Sequence, residues 1–246
     1  MHPLLRQTDH RPIPLPQGPW IMVQRWHDLL FAHWEVSVEQ IRRLVPEALE
    51  LDLFNGKAYL AVTPFHMSGI RARWLPPLPG LSRFPELNVR TYVRCQGVPG
   101  VWFFSLDAAN LPAVWGARLG YALPYFHADM SVKPIAEKFE YSSRRLQGPR
   151  PAEFHGRYWP TSNPRRREKD SLEYFLTERY CLYAVRKGHV LRGHIHHAPW
   201  PLQDAEAEIE RNSMADVTGI KLPATRPLLH FAKRQDVLIW PLQRVR

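Results

Sequence analysis

Residues 84–130 read FPELNVRTYVRCQGVPGVWFFSLDAANLPAVWGARLGYALPYFHADM, and this stretch decides the fold of the chain. Its first half alternates with a period of two, which is typical of a β-strand with one polar and one apolar face. The polar positions are Glu86, Asn88, Arg90, Tyr92 and Arg94. Whether that polar face lies in water or in a pocket is the central question for function.

Short strands and tight turns are predicted on both sides of this stretch. Asn55-Gly56 lies between two alternating runs, and this pair tolerates positive φ at both central positions of a hairpin turn. A second hairpin is expected to turn at Gly188, and residues 97–100 are expected to form a turn before an apolar strand. Residues 20–36 predict a strand that breaks near Asp28, and residues 236–245 predict the final strand.

The predicted helices are few and short. Ser37 and Gln40 form a capping box before an apolar helical face. Asn110 and Pro112 are expected to start a helix that ends near Tyr121, and residues 170–180 predict another. The acidic residues at the start of 204–214 favour a further helix, because carboxylates stabilise the positive end of a helix dipole. The whole pattern predicts a mainly β (α+β) fold, an antiparallel barrel or sandwich with a few short flanking helices.

The chain is expected to be one domain over residues 1–246, with a Pro-rich arm over residues 1–19. Cys95 and Cys181 lie far apart and match no zinc-ligand spacing, so two buried, reduced thiols are expected. No apolar run reaches the roughly 20 residues needed to span a bilayer, and the first residues lack the apolar core of a secretory signal. These absences favour a cytoplasmic protein with no membrane partner.

A formal net charge of +10 requires an interpretation. The basic residues cluster at Arg71 and Arg73, at Arg144 and Arg145, and at Arg165-Arg166-Arg167. Such clusters can bind nucleic acid, but no helix-turn-helix, zinc-finger or RNP pattern accompanies them. A solvated basic surface is therefore favoured over a polyanion site.

Glu86, Asn88 and Arg90 stand side by side on one strand face, because residues i, i+2 and i+4 share a face. Arg offers a bidentate fork, Asn an additional donor, and Glu a group that can transfer a proton, so the row suits a small oxyanion. The alternative is an ordinary row facing solvent. Arg118, on the predicted helix, is either buried and paired or lies at the helix edge.

Histidines and familiar motifs give little further guidance. A metal site would need a third ligand in addition to the histidines of the run His194, Ile195, His196 and His197, and none can be identified elsewhere in the sequence. Hydrogen-bonded or surface histidines are therefore favoured over a metal site. A histidine on an aromatic-rich strand, as at His127, is more often a core residue; His127 is nevertheless kept as a candidate ligand-binding residue. GxSxG, P-loop, GxGxxG and HExxH are absent, and no metal or cofactor is expected.

Motifs spread over nearly the whole chain resemble the YqjF-like family of uncharacterised conserved bacterial proteins. They are WHDLLFAHWEV, LDLFNGKAYLAVTPFHM, FPELNVRTYVR, GVWFFSLDA, LPYFHADM and GIKLPATRPLLHFAKRQDVLIWPL. The resemblance implies a fold similar to acetoacetate decarboxylase, a cone-like, mostly antiparallel β-barrel whose interior holds a small-ligand pocket. It implies no established activity.

The distant similarity to acetoacetate decarboxylase can be followed residue by residue. Glu86 looks like the strand Glu that lines the cavity of that enzyme, and Arg118 looks like the Arg of its Gly-Arg-Glu segment. The position of its Schiff-base lysine falls on Tyr125. A phenol cannot form an imine with a ketone, so Schiff-base decarboxylation is not expected. Lys133 and Lys221 would have to be buried to replace that lysine.

Three functions are therefore considered. The first is an internal pocket for a small anionic or carbonyl-bearing metabolite, with Glu86 and Tyr125 as catalytic residues and Asn88, Arg90, Arg118 and His127 as ligand-binding residues. Lyase, isomerase or hydrolase chemistry through enol-like intermediates would suit these groups. The second is a non-catalytic sensor or carrier, and the third is polyanion binding by the arginine clusters. A homo-oligomer is left open.

Overall fold

The chain adopts a mostly β fold in a computed structural model that describes residues 2–148 and 150–245, without the side chains of residues 117–119. The strands that carry the argument below are β1 (Met22–Val36), β2 (Glu50–Leu51), β3 (Ala58–Ala72), β4 (Phe84–Cys95), β5 (Val98–Ala108), β6 (Tyr125–Ile135), β7 (Lys138–Arg145), β8 (Glu153–Pro160), β9 (Cys181–Arg186), β10 (His189–His196), β11 (Gln203–Asn212) and β12 (Leu228–Arg244).

Three short α-helices interrupt the strands: α1 (Val38–Leu44), α2 (Leu111–Tyr121) and α3 (Leu172–Thr177). A side-chain oxygen caps the first turn of each helix by accepting from a backbone N–H, which satisfies a donor that has no partner within the helix. The capping residues are Ser37, Asn110 and Ser171. Single turns of 3₁₀ helix lie at Pro3–Arg6 and Met214–Thr218.

The strands form one sheet that closes on itself. Following hydrogen-bonded neighbours, the ring runs β12–β1–β3–β4–β5–β9–β10 and returns to β12. Between β5 and β12 a second path runs through β6, β7, β8 and β11. The predicted mainly antiparallel β architecture with few helices is confirmed, but the sheet branches at β5 and β12 and is not a simple barrel. Within the described ranges, the parallel pairings are those of β5 with β6 and with β9.

The turns follow the glycines that the sequence offers. Asn55 and Gly56 have φ of 50° and 76°, as the hairpin signal requires, although β2 before this turn pairs with β4. Lys187 and Gly188 turn between β9 and β10. β1 continues across Asp28, and the break expected there takes the form of an irregularity, since this residue has a φ of 48° and the β1–β3 register shifts between His27 and Ala32.

Two sequence-based expectations were wrong. Residues 204–214 were expected to be helical, but β11 (Gln203–Asn212) pairs with β8 over most of its length. Its glutamates alternate with smaller residues and are exposed, while the intervening residues are less so, which is a strand period. The turn expected at residues 97–100 is tighter, because Gln96 and Gly97 alone form it and Gly100 already lies within β5.

The central strand of the fold is β4, and its residues are almost all buried. One face carries Leu87, Val89 and Val93 into the largest hydrophobic cluster. The 1–19 arm packs its leucines against Trp20 and Trp240, beside the end of β12. No helix in the described part of the chain is long and apolar enough to cross a membrane.

Candidate functional site

A cavity of about 310 Å³ lies inside the ring of strands. Most of its wall is apolar, as is usual for small-molecule sites in which a few polar groups fix orientation. The large side chains of this wall are Trp26, Phe31, Phe65, Met67, Phe103 and Trp200.

The polar face of β4 lines this cavity. Glu86, Asn88 and Arg90 all belong to its wall, with only 4, 4 and 9% of their surfaces exposed. They face the same space because they alternate along one strand. Across the β3–β4 ladder, Phe65 lies opposite Glu86 and Thr63 lies opposite Asn88. The polar row therefore faces the cavity and has little contact with bulk water.

Tyr125 meets Glu86 inside the cavity, where its hydroxyl donates a hydrogen bond of 2.9 Å to Oε2 of Glu86. The parallel pairing of β5 and β6 brings Tyr125 to this level, opposite Leu106. The Glu86 backbone is held from β7, because the Tyr141 hydroxyl donates to its carbonyl at 2.8 Å and lies 3.2 Å from the carbonyl oxygen of Phe65. Both strands beneath the carboxyl are therefore fixed by one buried tyrosine.

Burial, and to a smaller extent the nearby Asp107 carboxylate, raise the pKa of Glu86 from 4.5 to a net value of about 8. The hydrogen bond from Tyr125 opposes this rise, because it stabilises the charged form. Burial and the neighbouring Glu86 raise the pKa of the Tyr125 hydroxyl well above its usual value. At neutral pH the site therefore holds a protonated carboxyl beside a protonated phenol.

Asp107 forms a buried, two-pronged ion pair with Arg145. Arg145 Nε lies 2.8 Å from Asp107 Oδ2, and Arg145 Nη2 lies 2.5 Å from Asp107 Oδ1. Both side chains are almost fully excluded from solvent. Arg145 is thus committed to Asp107, and among the side chains that the structure describes no cation forms an ion pair with the Glu86 carboxyl.

Several polar atoms in this region have no hydrogen-bond partner among the residues that the structure describes. They include Oδ1 of Asn88, Nε of Arg90 and Oγ1 of Thr63. The Arg90 guanidinium carbon lies 5.4 Å from the centre of the Phe31 ring. Buried polar atoms are nearly always paired, so unpaired ones around a cavity mark places where a ligand can bind.

The other candidates from the sequence are not all brought to this cavity. His127 is partly buried and does not line the cavity, since β6 leaves β5 after the Ala108–His127 pairing and continues along β7. Arg118 lies on α2, but its side chain is outside the part of the structure that is described. Lys133 and Lys221 are exposed, and the cavity wall contains no lysine from the described residues.

The arginine clusters are largely engaged within the protein. Besides the buried Arg145, Arg144 lies 3.4 Å from Asp129. Arg165 and Arg167 both contact Asp204, at 3.2 and 2.5 Å. These ion pairs offset part of the positive charge that suggested a polyanion site.

The sequence alone did not identify three further cavity residues. Thr63, Arg179 and Trp200 line the wall from β3, from the segment after α3 and from the segment before β11. Thr63 lies within the family motif LDLFNGKAYLAVTPFHM and Arg179 within the helix predicted over residues 170–180, but neither pattern marks the side chain as a cavity residue. Strand register and long-range packing place these residues beside β4, so local sequence patterns could not identify them.

Comparisons with known proteins agree with this fold. Residues 23–236 match the model of the DUF2071 family, described as an uncharacterized conserved protein. The chain is 52% identical over 232 residues to the uncharacterized protein YqjF of Bacillus subtilis (strain 168), covering 94% of this chain and 96% of that protein.

Solved structures with a similar fold have low sequence identity. An acetoacetate decarboxylase from Legionella pneumophila matches with a TM-score of 0.65 at 12% identity, covering 97% of this chain and 93% of that one. The enduracididine biosynthesis enzyme MppR complexed with pyruvate matches with a TM-score of 0.63 at 11% identity, covering 95% and 92%. The fold is therefore acetoacetate decarboxylase-like, and at these identities the likeness concerns the fold alone.

Proposed function

We propose that this chain, which belongs to the DUF2071 family of uncharacterised conserved proteins, binds a small carbonyl compound in its cavity and catalyses acid–base chemistry on it. The observation that carries the proposal is the Glu86 carboxyl, which is enclosed, hydrogen-bonded by Tyr125 and has a pKa raised to about 8. A strongly perturbed carboxyl in a cavity is typical of functional sites.

A protonated carboxyl can donate a hydrogen bond to a carbonyl oxygen. When an α-proton of the compound passes to a base, here a water molecule, the C–H electron pair forms the C=C bond of the enol and negative charge develops on the carbonyl oxygen. The Glu86 carboxyl gives its proton to that oxygen and then takes one back from the hydronium ion. Glu86 fits this role because it keeps its proton at neutral pH. Tyr125 orients the carboxyl and keeps its own proton, since its pKa is raised well above 10.0.

The rest of the cavity favours a ligand that also carries negative charge. Arg90 lies further along the same strand face, and its Nε is a donor without a partner among the described residues, which suits a negatively charged group. Oδ1 of Asn88, between Glu86 and Arg90, is unpaired in the same sense, but it is an acceptor and suits a ligand hydroxyl. Since the wall contains no lysine from those residues, the chemistry proposed here uses no imine. Lyase or isomerase reactions that pass through an enol fit such a site.

The names of structural neighbours support the first choice of probes. Acetoacetate decarboxylase and MppR complexed with pyruvate share the fold of this chain. Those descriptions concern those proteins, but they make carbonyl acids the first compounds to test here. A sensor or carrier with the same cavity is the competing function, and it differs in performing no turnover.

The test combines ligand binding with one substitution. Purified protein would be screened by thermal shift against pyruvate, acetoacetate and larger oxo acids, because a ligand of the folded state raises the melting temperature. Any binder would then be followed by NMR for product formation or for exchange of its α-protons with D₂O. The Glu86→Gln variant should keep binding and lose turnover, whereas the Glu206→Gln variant, changed at an exposed glutamate, should match wild type.

Two results would overturn the proposal. Turnover that is unchanged in Glu86→Gln would remove the acid from the mechanism. Binding without turnover or proton exchange in the wild-type protein, for every oxo acid that binds, would establish a carrier or sensor.

A further inference from the structure

We propose that the cavity has a separate anion-binding end, formed by Thr63, Arg90, Arg179 and Trp200, and that its substrates are therefore oxo acids whose carboxylate and ketone are separated by an apolar chain. The position of the ketone rests on the function proposed above for Glu86. The anion-binding end is argued independently of it.

Unpaired donors are concentrated at this end of the cavity. Nε of Arg90, Nη2 of Arg179 and Nε1 of Trp200 are buried N–H groups without a hydrogen-bond partner in the described part of the chain. The Thr63 hydroxyl is unpaired in the same sense and can also donate. All four side chains belong to the cavity wall and are at most 9% exposed. Because these four donors line the same cavity, they can bind a ligand group that has several acceptor atoms, such as a carboxylate.

Aromatic rings connect these donors into one cluster. Arg90 lies over Phe31, and the Trp200 ring meets Phe31 edge-on at 5.0 Å between ring centres. The guanidinium of Arg179 stacks on the ring of Tyr92, with 4.8 Å to its centre. Both arginines lower the pKa of Tyr92 through their charge, against a larger opposing effect of burial. The two cations therefore flank the same ring.

The charge at this end is not balanced by the protein. Asp52 pairs with Arg179 and also with Arg94, so one carboxylate serves two cations. No carboxylate of the described residues lies within ion-pair distance of Arg90, and Asp107 is held by Arg145. A buried, unbalanced positive charge is costly unless a bound anion compensates it.

The anion-binding end is separated from Glu86. Four residues along β4 correspond to about 14 Å between the Cα atoms of Glu86 and Arg90, at about 3.4 Å per residue. Phe65 and Phe103 contribute apolar wall to the same space. A ligand that reaches both ends therefore needs several carbon atoms between its ketone and its carboxylate, which short 2-oxo acids lack.

Isomeric oxo acids can test this spacing. We would measure dissociation constants for 2-oxooctanoate, 4-oxooctanoate and 7-oxooctanoate by isothermal titration calorimetry, since these isomers differ only in the position of the ketone. The 7-oxo isomer should bind at least about tenfold more tightly than the 2-oxo isomer, because only it can engage both ends. Its methyl ester should bind at least about tenfold more weakly than the acid, because it carries no charge for the arginines.

Conservative variants keep the test independent of folding. Thr63→Val removes a hydroxyl that has no partner in the described structure, and Trp200→Phe removes an equally unpaired N–H. Each should fold with an unchanged or raised melting temperature and should weaken 7-oxooctanoate binding about tenfold. Thr161→Val, at an exposed threonine, should bind as wild type does.

The outcomes separate this inference from the function proposed for Glu86. Equal binding of acid and ester would overturn the anion-binding end, and equal binding of the three isomers would overturn the spacing between ketone and carboxylate, even if turnover still required Glu86. If the isomer preference and the Thr63→Val loss persist in Glu86→Gln while no oxo acid is turned over by the wild-type protein, the anion-binding end stands and the catalytic role fails.

Discussion

The Tyr125 hydroxyl donates a 2.9 Å hydrogen bond to Oε2 of Glu86, and this contact joins β6 to β4 inside the cavity. It brings together a carboxyl that burial keeps protonated and a phenol that burial also keeps protonated. Both groups therefore differ in their acid–base chemistry from free side chains. The effects of this pair should be measurable even before a ligand is known.

Glu86→Gln should remove a pH-dependent instability. The folded protein keeps the Glu86 proton up to about pH 8, whereas the unfolded chain releases it near pH 4.5, so the stability linked to this proton is lost as pH rises between those values. We expect the variant to match wild type within about 1 kcal/mol at pH 5 and to exceed it by about 3 kcal/mol at pH 9. Urea unfolding at both pH values measures the difference, and a gap that does not change with pH would contradict the raised pKa.

Tyr125→Phe should move the titration of the Glu86 carboxyl to higher pH. The lost hydrogen bond stabilises the ionised form of Glu86, so its removal raises the pKa of the carboxyl beyond about 8. Infrared titration of the protonated carboxyl band would follow this pKa directly. Tyr121→Phe is the matched control, because the Tyr121 hydroxyl contacts the Trp240 carbonyl and not Glu86. A shift to lower pH in Tyr125→Phe would show that the contact does not act in this way.

Arg145→Met should destabilise the protein by about 3–5 kcal/mol, since it leaves the buried Asp107 carboxylate without its cation. Adding Asp107→Asn should recover part of this loss, because the unpaired charge is then removed. Arg144→Met tests the neighbouring position, where the side chain is 64% exposed and its ion pair with Asp129 is expected to contribute little. Chemical unfolding of the four proteins would measure these values, and equal costs for Arg144 and Arg145 would contradict the assignment.

Gly100→Ala should destabilise the contact between β5 and β9 by about 1–3 kcal/mol. A Cβ at residue 100 would lie 2.6 Å from Cε2 of Tyr183 and 2.8 Å from the carbonyl oxygen of Cys181, and the latter is backbone that cannot rotate away. Gly120→Ala is the control, because an added Cβ there meets nothing within 4 Å and alanine favours the helix. Thermal unfolding should therefore separate the two variants in opposite directions.

Much of the fold could be predicted from local sequence. The capping residues Ser37 and Asn110 and the turn at Asn55-Gly56 have short-range causes, so their signals are contained in a few neighbouring residues. The helix expected over residues 204–214 shows the limit of that approach. Its acidic start suggested a helix dipole, but the alternation of its glutamates matched a strand, and pairing with β8 decided the outcome.

Only part of the candidate site could be predicted from the sequence. Glu86, Asn88 and Arg90 could be recognised as a row, because strand alternation is a local property. Their enclosure, and the arrival of Thr63 and Arg179 beside them, depend on which distant strands become neighbours. That information arises from the closed ring of the sheet and has no signature within any one segment.

Ring closure also has a consequence for how the protein reaches its native state. Met22 of β1 pairs with Ile239 of β12, so this part of the seam joins residues from nearly opposite ends of the sequence, and Leu191 of β10 pairs with Arg244 of the same β12. Folding rates fall as contacts become less local, because the chain loses conformational entropy before the stabilising contacts form. During synthesis, the edges of β1 and β10 must wait unpaired until β12 leaves the ribosome. Until those pairs form, both edges present unpaired backbone N–H and C=O groups, which can pair with another chain.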